Sequence, residues 1–298
     1  MNSKELLKWA VAELGSDKRL EAELLLCHVL DTNRALLMAH DSDEVTDEKE
    51  EAFRQLTQRR KADEPLQYLL GTASFMGLEL LVAPAVLIPR FDTERLVEKA
   101  LQLLEPIEAP MILDVCTGSG AIALALQHYK PKAAVYAGDL SADALNIARQ
   151  NSKRYSLNVR FRQGNLLEPF NDLKGTLDLL ASNPPYITTQ EMGELPGDVL
   201  QEPRLALWGG HDGLYFYRKI IASAAELLKP GGWLIFEIGW KQGEAVQQLL
   251  TEAGFSNIEL VQDWQGLDRV ACGQMGECQN KYKTDKECMC DDRKILCV

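Results

Sequence analysis

Three short stretches carry residue types and spacings that could do chemistry, and each falls where a strand-like run gives way to a loop. The first is Asp114-Val115-Cys116-Thr117-Gly118-Ser119-Gly120, which leads directly into the helical Ala121-Ile122-Ala123. Glycines at such a turn let backbone approach a ligand without a Cβ clash, and the helix start beyond offers free amide donors. The full G-x-G-x-x-G dinucleotide fingerprint is not met, because Ala123 stands three after Gly120 and Cys116 two before Gly118. The second is Asp139, 19 residues beyond Gly120 at the end of the next strand-like run. An acidic residue there can accept hydrogen bonds from both hydroxyls of a ribose, which points to an adenosine-containing ligand. Capping of the helix that starts near Ser141 is a second duty open to it.

The third stretch is Asn183-Pro184-Pro185-Tyr186. Two consecutive prolines remove two backbone donors and restrict φ, so the carbonyls around them hold fixed directions. Asn183, with an acceptor oxygen, and the Pro184 carbonyl could together hold a planar –NH₂ group at two points, with Tyr186 adding an aromatic face. An amide or exocyclic amine nitrogen is a poor nucleophile, since its lone pair is delocalised. Accepting hydrogen bonds from its N–H groups enriches the nitrogen and fixes it in line with a methyl donor, without a dedicated general base. Beside an adenosine site, the reading is methyl transfer to a planar nitrogen.

The elements that must position these stretches alternate. Strands are expected at 111–116, 134–139, 159–163, 177–182, 233–238 and 258–262, with a seventh at 269–272. Helices are expected at 121–129, 142–155, 213–228 and 242–253. Such alternation predicts a mostly parallel sheet covered on both faces, with its ligand at the carboxyl ends of the strands. Residues 1–64 instead carry a helical period: Ser3 is expected to cap a first helix stopping at Gly15, Asp17 a second, and two more follow at 34–40 and 47–61. His28 and His40 lie there without convergent partners and read as structural. Between the halves, Gly71 to Pro89 reads as a hairpin connector, and the polar cluster Arg90-Phe91-Asp92-Thr93-Glu94 opens a further helix ending near Leu104.

Composition limits the function classes. At 298 residues, two domains or one domain with an appendage are expected. The net charge of −12 disfavours a phosphate backbone as the main partner. No apolar run approaches the roughly 20 residues of a membrane span, and charged residues interrupt the N-terminal pattern, so a cytoplasmic protein is expected with no membrane or direct nucleic-acid partner. Cys27 and Cys116 lie within apolar stretches and read as reduced thiols, whereas Cys278, Cys288, Cys290 and Cys297 crowd the end of the chain. Their spacing does not match a structural zinc site, so no metal is expected and 276–298 reads as a disordered, cysteine-rich tail.

In this order, the glycine loop, Asp139, Gly164-Asn165-Leu166-Leu167-Glu168, Asn183-Pro184-Pro185-Tyr186 and Glu202-Pro203-Arg204-Leu205-Ala206-Leu207 resemble S-adenosylmethionine-dependent amino-methyltransferases. Pro89-Arg90-Phe91-Asp92-Thr93-Glu94 and Gly209-Gly210-His211-Asp212-Gly213-Leu214 narrow the resemblance to the PrmC/HemK family, the release factor glutamine methyltransferases, over roughly residues 1–272. Phe91, Cys116 and Asn165 stand where that family commonly has proline, glycine and an acidic residue.

The resemblance implies a Rossmann-like class I methyltransferase domain at 93–275 with a mostly parallel seven-stranded sheet. A connector at 65–92 would join it to a helical substrate-recognition bundle at 1–64. It implies an enzyme that methylates the side-chain amide nitrogen of the glutamine in the Gly-Gly-Gln motif of class 1 peptide chain release factors, acting as a monomer. By position, Cys116, Thr117, Gly118, Ser119 and Gly120 would line the methionine and ribose side of the cofactor, Asp139 would bind the ribose, and Asn165 and Leu166 would flank adenine. Asn183 and Pro184 would hold the glutamine amide, Asn183 also bordering the cofactor, with Pro185 and Tyr186 shaping the pocket. Adenine-N6 methylation of DNA and a non-catalytic cofactor-binding scaffold are the competing readings; the acidic charge opposes the first and the intact glycine loop and Asn183 oppose the second.

Overall fold

A computed structural model describes residues 1–276. At the N-terminus, α1 (Ser3–Leu14), α2 (Arg19–Leu30), α3 (Arg34–Ala39) and α4 (Asp47–Lys61) form a bundle, followed by the short α5 (Leu66–Leu70). Its core is Leu6, Ala10, Leu25, Leu26, Leu37 and Phe53, the inward stripes of four amphipathic helices. The cap of α1 is Asn2 rather than Ser3: Asn2 Oδ1 accepts from the Glu5 amide at 2.9 Å and Glu5 returns the bond to the Asn2 amide at 3.1 Å. Asp17 caps nothing either, because it falls inside a 3₁₀ turn (Ser16–Lys18) and α2 begins after Lys18 without a side-chain cap.

A two-stranded hairpin, β1 (Thr72–Phe75) and β2 (Leu78–Leu81), then leads to α6 (Phe91–Leu103). The remaining chain forms a seven-stranded sheet from β3 (Met111–Val115), β4 (Ala134–Asp139), β5 (Val159–Gln163), β6 (Leu177–Ser182), β7 (Leu228–Glu237), β8 (Phe255–Gln262) and β9 (Asp268–Met275). Their order is β5-β4-β3-β6-β7-β9-β8, parallel except for the two pairings of β9. The helices α7 (Ala121–Tyr129), α8 (Ala142–Arg154), α11 (Tyr215–Leu227) and α12 (Gly243–Glu252) cover it, and two very short ones, α9 (Gly197–Leu200) and α10 (Arg204–Leu207), interrupt the loop after β6.

The expected alternation is present, with shifted ends. β7 begins at Leu228 rather than Trp233 because its register with β6 is irregular between Leu177 and Leu179, so the strand runs through Pro230-Gly231-Gly232 before the regular pairing starts. β3 stops one residue short of Cys116, which turns to φ +60°. The cysteine-rich tail lies outside the described residues, apart from Gly276. Among the described residues, no helix is long and apolar enough to cross a membrane.

Side chains of Glu94, Tyr129 and Tyr155 bond to the backbone of the hairpin, and one further, fully buried side chain ties its end to the glycine loop. Fully buried Asn151 on α8 accepts from the Leu81 amide at 2.7 Å and donates to the carbonyls of Leu81 and Ser119, both at 3.0 Å. One amide thereby satisfies both backbone groups of a hairpin residue and pins the glycine loop. Asn151→Leu, similar in volume but without partners for those three groups, is expected to destabilise the protein by about 3 kcal/mol in urea unfolding, given 1–3 kcal/mol for each buried polar group left unpaired.

Candidate active site

The parallel sheet reverses its order between β3 and β6, and at this switch point their carboxyl ends lie side by side, Val115 opposite Ser182. The Ser182 hydroxyl donates to the Val115 carbonyl at 2.7 Å, clamping the two ends together. From this point one chain turns into the glycine loop and the other into Asn183-Pro184-Pro185-Tyr186. A cleft of about 1060 Å³, open to solvent, lies above the junction. Ligands of open α/β sheets bind at such a point.

One wall of the cleft is the glycine loop. Cys116, Thr117, Gly118 and Ser119 line it, followed by Ala121 and Ile122 at the start of α7. Gly120 does not line it: its φ of +85° makes the turn, and a Cβ there would meet Leu124 at 3.1 Å and Ala148 at 3.2 Å. Its positive φ is what calls for glycine, and the tight approach of Leu124 and Ala148 adds to that. The Cys116 thiol is pushed up by burial, with Asp139 adding to the effect. Beneath the loop, buried Asp114 accepts from Thr117 Oγ1 at 2.6 Å and the Ala123 amide at 3.2 Å, and burial pushes its carboxyl up to about 7.

Asp139 stands at the end of β4 in the same cleft. Each of its oxygens takes one backbone amide, Oδ2 from Gly118 and Oδ1 from Ser141, both at 2.9 Å. A carboxylate has about four lone-pair positions, so each oxygen keeps capacity for one more donor, which is the requirement for two ribose hydroxyls. Burial raises its pKa and the backbone bonds oppose the shift. The helix-capping duty belongs to Ser141, whose hydroxyl accepts from the Ala144 amide at 3.1 Å. Asn165 and Leu166 line the cleft beyond Asp139. The Asn165 amide is turned toward Glu168 at 2.9 Å, and Leu166 sits at φ +49°. The residues therefore fit an adenosine-type cofactor: a carboxylate with free acceptor sites, an apolar side chain beside it, and backbone at close range.

Beside the cleft is a second recess of about 460 Å³, lined by Tyr186, Ile187, Val199, Leu207 and Glu237. Asn183, Arg90, Leu87 and Ala206 line both spaces, so the two lie side by side with these residues at their boundary. Pro185 faces the cleft, whereas Pro184 is buried and lines neither space. The two-point grip expected of Asn183 and the Pro184 carbonyl thus has the Asn183 side chain as its exposed member. The platform is braced from behind by Gly209, where a Cβ would fall 2.6 Å from Tyr186 Cα and 2.7 Å from the Pro185 carbonyl oxygen. Gln242 adds a bond from its side-chain amide to the Tyr186 carbonyl at 3.0 Å.

Four residues that the sequence reading did not assign to the site belong to it. Buried Glu202 grips the Arg90 guanidinium and accepts from the Ile88 amide at 2.9 Å, holding Arg90 between the two spaces. Glu237, at the carboxyl end of β7, accepts from the Thr93 hydroxyl and, at 3.2 Å, from the Tyr186 hydroxyl. Thr93 in turn accepts from the Asn183 side-chain amide at 3.3 Å. A charged residue inside the apolar run Trp233-Leu234-Ile235-Phe236-Glu237-Ile238 was the one sequence signal for Glu237. Burial raises its carboxyl and that of Glu202 above the usual range, with the Thr93 bond opposing for Glu237 and Arg90 opposing for Glu202.

The chain is similar to known proteins along most of its length. Residues 5–71 match the PrmC N-terminal domain family and residues 93–202 the methyltransferase small domain family. A release factor glutamine methyltransferase of Moorella thermoacetica is 48% identical over 254 residues, covering 84% of this chain and 89% of that protein. One of Geobacter sulfurreducens is 42% identical over 278 residues, covering 92% and 96%. Among solved structures, a Pyrococcus furiosus methyltransferase overlays with a TM-score of 0.50 at 20% identity, over 67% of this chain and 90% of that one, which speaks to the fold alone. With identity at this level over nearly the whole length of both relatives, the chain belongs to the release factor glutamine methyltransferase family.

Proposed function

We propose that the chain methylates the side-chain amide nitrogen of the glutamine in the Gly-Gly-Gln motif of class 1 peptide chain release factors, and that Asn183 holds that amide. The observation that carries this assignment is the position of Asn183 on the boundary of both spaces, with its –NH₂ engaged by Thr93 and its oxygen left as the acceptor. S-adenosylmethionine, the methyl donor of this family, supplies a methyl group activated by a sulfonium.

The chain's own residues do the rest. Asp139 would hold the donor through its ribose, and Leu166 would flank the adenine. In the recess, Asn183 Oδ1 accepts one amide N–H; the other is assigned to the Pro184 carbonyl on the resemblance alone, since Pro184 lines neither space. These bonds turn the lone pair toward the cleft. So oriented, the nitrogen would take the methyl group as that group's bond to sulfur breaks, the bond pair staying with sulfur and one N–H proton leaving to solvent. Tyr186, whose pKa burial raises far beyond neutrality, remains an uncharged wall. The helical bundle is assigned to recognition of the intact release factor, because a lone glutamine side chain offers little surface for selectivity.

Mass spectrometry of a release factor incubated with the protein and S-adenosylmethionine is expected to show one added methyl on the Gly-Gly-Gln glutamine. Asn183→Ala is expected to lower kcat by about 10²- to 10³-fold, the effect of removing one preorganised hydrogen-bonding group at a reacting centre. Equal methylation by that variant would remove Asn183 from its role, and no methylation by the wild type despite bound cofactor would overturn the substrate assignment.

Cofactor affinity carries a pH signature. Only ionised Asp139 accepts from both ribose hydroxyls, and its pKa lies above the ordinary 3.9. Lowering the pH through that raised value protonates it, so Kd rises on the acid side, earlier than an ordinary aspartate would dictate. Isothermal titration is expected to show this rise in the wild type. Asp139→Asn should be about tenfold weaker at neutral pH and its Kd should rise less across the same range, what remains coming from Asp114 beneath the glycine loop.

A further inference from the structure

Glu237 is a charged side chain with 1% exposure, and among the described residues it has no cation within ion-pair distance. Among the described residues its carboxylate is met by two hydroxyls, those of Thr93 and Tyr186. Burying a charge this way costs stability, and an apolar residue at this strand position would serve the sheet better. Its value therefore lies in what it does to its neighbours.

An ionised carboxylate can only accept hydrogen bonds. Thr93, itself 4% exposed, must therefore point its single proton at Glu237 and has only lone pairs left for Asn183. Asn183 must then present its –NH₂ to Thr93 at 3.3 Å, which leaves Oδ1 as the group turned to the two spaces. Without the carboxylate, the threonine hydroxyl could donate to Asn183 just as well, and the amide could turn over and present N–H donors to a substrate that itself offers N–H donors.

We propose that Glu237 and Thr93 are positioning residues that fix which end of the Asn183 amide faces the substrate, and so make the site selective for an –NH₂ acceptor. This rests on Asn183 holding the acceptor amide. Glu237 also holds Tyr186, so one buried carboxylate orders both side chains that flank the acceptor. The groups around it are Arg269 on β9, which favours its charge, Asp92 on α6, which opposes it, and the neutral Tyr186 and Tyr217.

The test compares Glu237→Gln, Thr93→Val and Thr93→Ser with the wild type in single-turnover methylation of a release factor, alongside cofactor Kd and thermal stability. Glu237→Gln and Thr93→Val are expected to lower the methylation rate by about 10- to 100-fold with little change in cofactor Kd, as for other residues that orient a reacting group. Thr93→Ser, which keeps the hydroxyl, is expected to retain most of the rate. The wild-type rate should also fall on an acid limb placed above the ordinary carboxylate range, and Glu237→Gln should lack that limb. A fast Thr93→Val variant beside a slow Glu237→Gln would overturn the proposal, since the carboxylate would then be acting on the substrate directly. Equal losses in Thr93→Ser and Thr93→Val would overturn it as well. An inactive wild type would count against the methylation reading itself, a separate failure from either of these.

Discussion

The pairing of β3 with β6 is the constraint on which the site depends. Both strands are buried along almost their whole length, and their parallel register places Val115 against Ser182 at the carboxyl ends. The chain leaves one end toward α7 on one face of the sheet and the other toward the loop before α11 on the opposite face, where separate apolar clusters receive them. The loops must therefore part at the junction, and the parting is the cleft. A slip of one residue in either strand would exchange its inward and outward side chains and carry Asn183 away from the glycine loop. The Ser182 hydroxyl bonded to the Val115 carbonyl guards the one position where such a slip would matter most.

Around this junction the protein concentrates charge that a stable core would avoid. Asp114, Glu202 and Glu237 are each at most 5% exposed, and burial raises the pKa of all three. Each holds something that borders the cleft: Asp114 the glycine loop, Glu202 the Arg90 guanidinium, Glu237 the Thr93 and Tyr186 hydroxyls. Buried carboxylates accept hydrogen bonds strongly where water cannot compete, so they hold their donors in fixed directions. The stability lost by burying them is exchanged for preorganisation, the property a reaction with a weak nucleophile needs most.

The fold was legible because its signals are local. Strand runs such as Leu177–Ser182 and Ala134–Asp139 and the helix Asp47–Lys61 declare themselves through period and flanking residues, and the structure keeps those bounds. Asp139 and Asn183 were equally legible, because the loops that carry them follow directly from strand ends. Other features were not, since their meaning depends on distant partners. Asn2 outcompeted Ser3 as a cap only because Glu5 lies in reach to return its bond. Gly120 lies in the glycine loop without lining the cleft, and the crowding of its Cα side by Ala148 comes from another helix that the loop sequence does not show. Glu237 is 144 positions from Thr93, and nothing in the apolar run around it shows which hydroxyl it will meet.

The chemistry explains why the site is built from oriented dipoles instead of free acids and bases. An amide N–H is so weakly acidic that a neighbouring general base would gain little by removing its proton before the new bond forms, and a general acid would only compete for the lone pair. What accelerates the reaction is holding the nitrogen at the right distance and direction, with acceptors on its N–H groups as positive charge develops. In the role proposed for it, Asn183 suits this task because its oxygen is a strong neutral acceptor that neither titrates nor repels a positively charged donor. An aspartate in its place would accept too, yet would add a third carboxylate beside Glu237 and Glu202 and titrate with them. A neutral amide whose direction is dictated by a charge two hydrogen bonds away keeps the electrostatic benefit of that charge while keeping the charge itself out of the reaction.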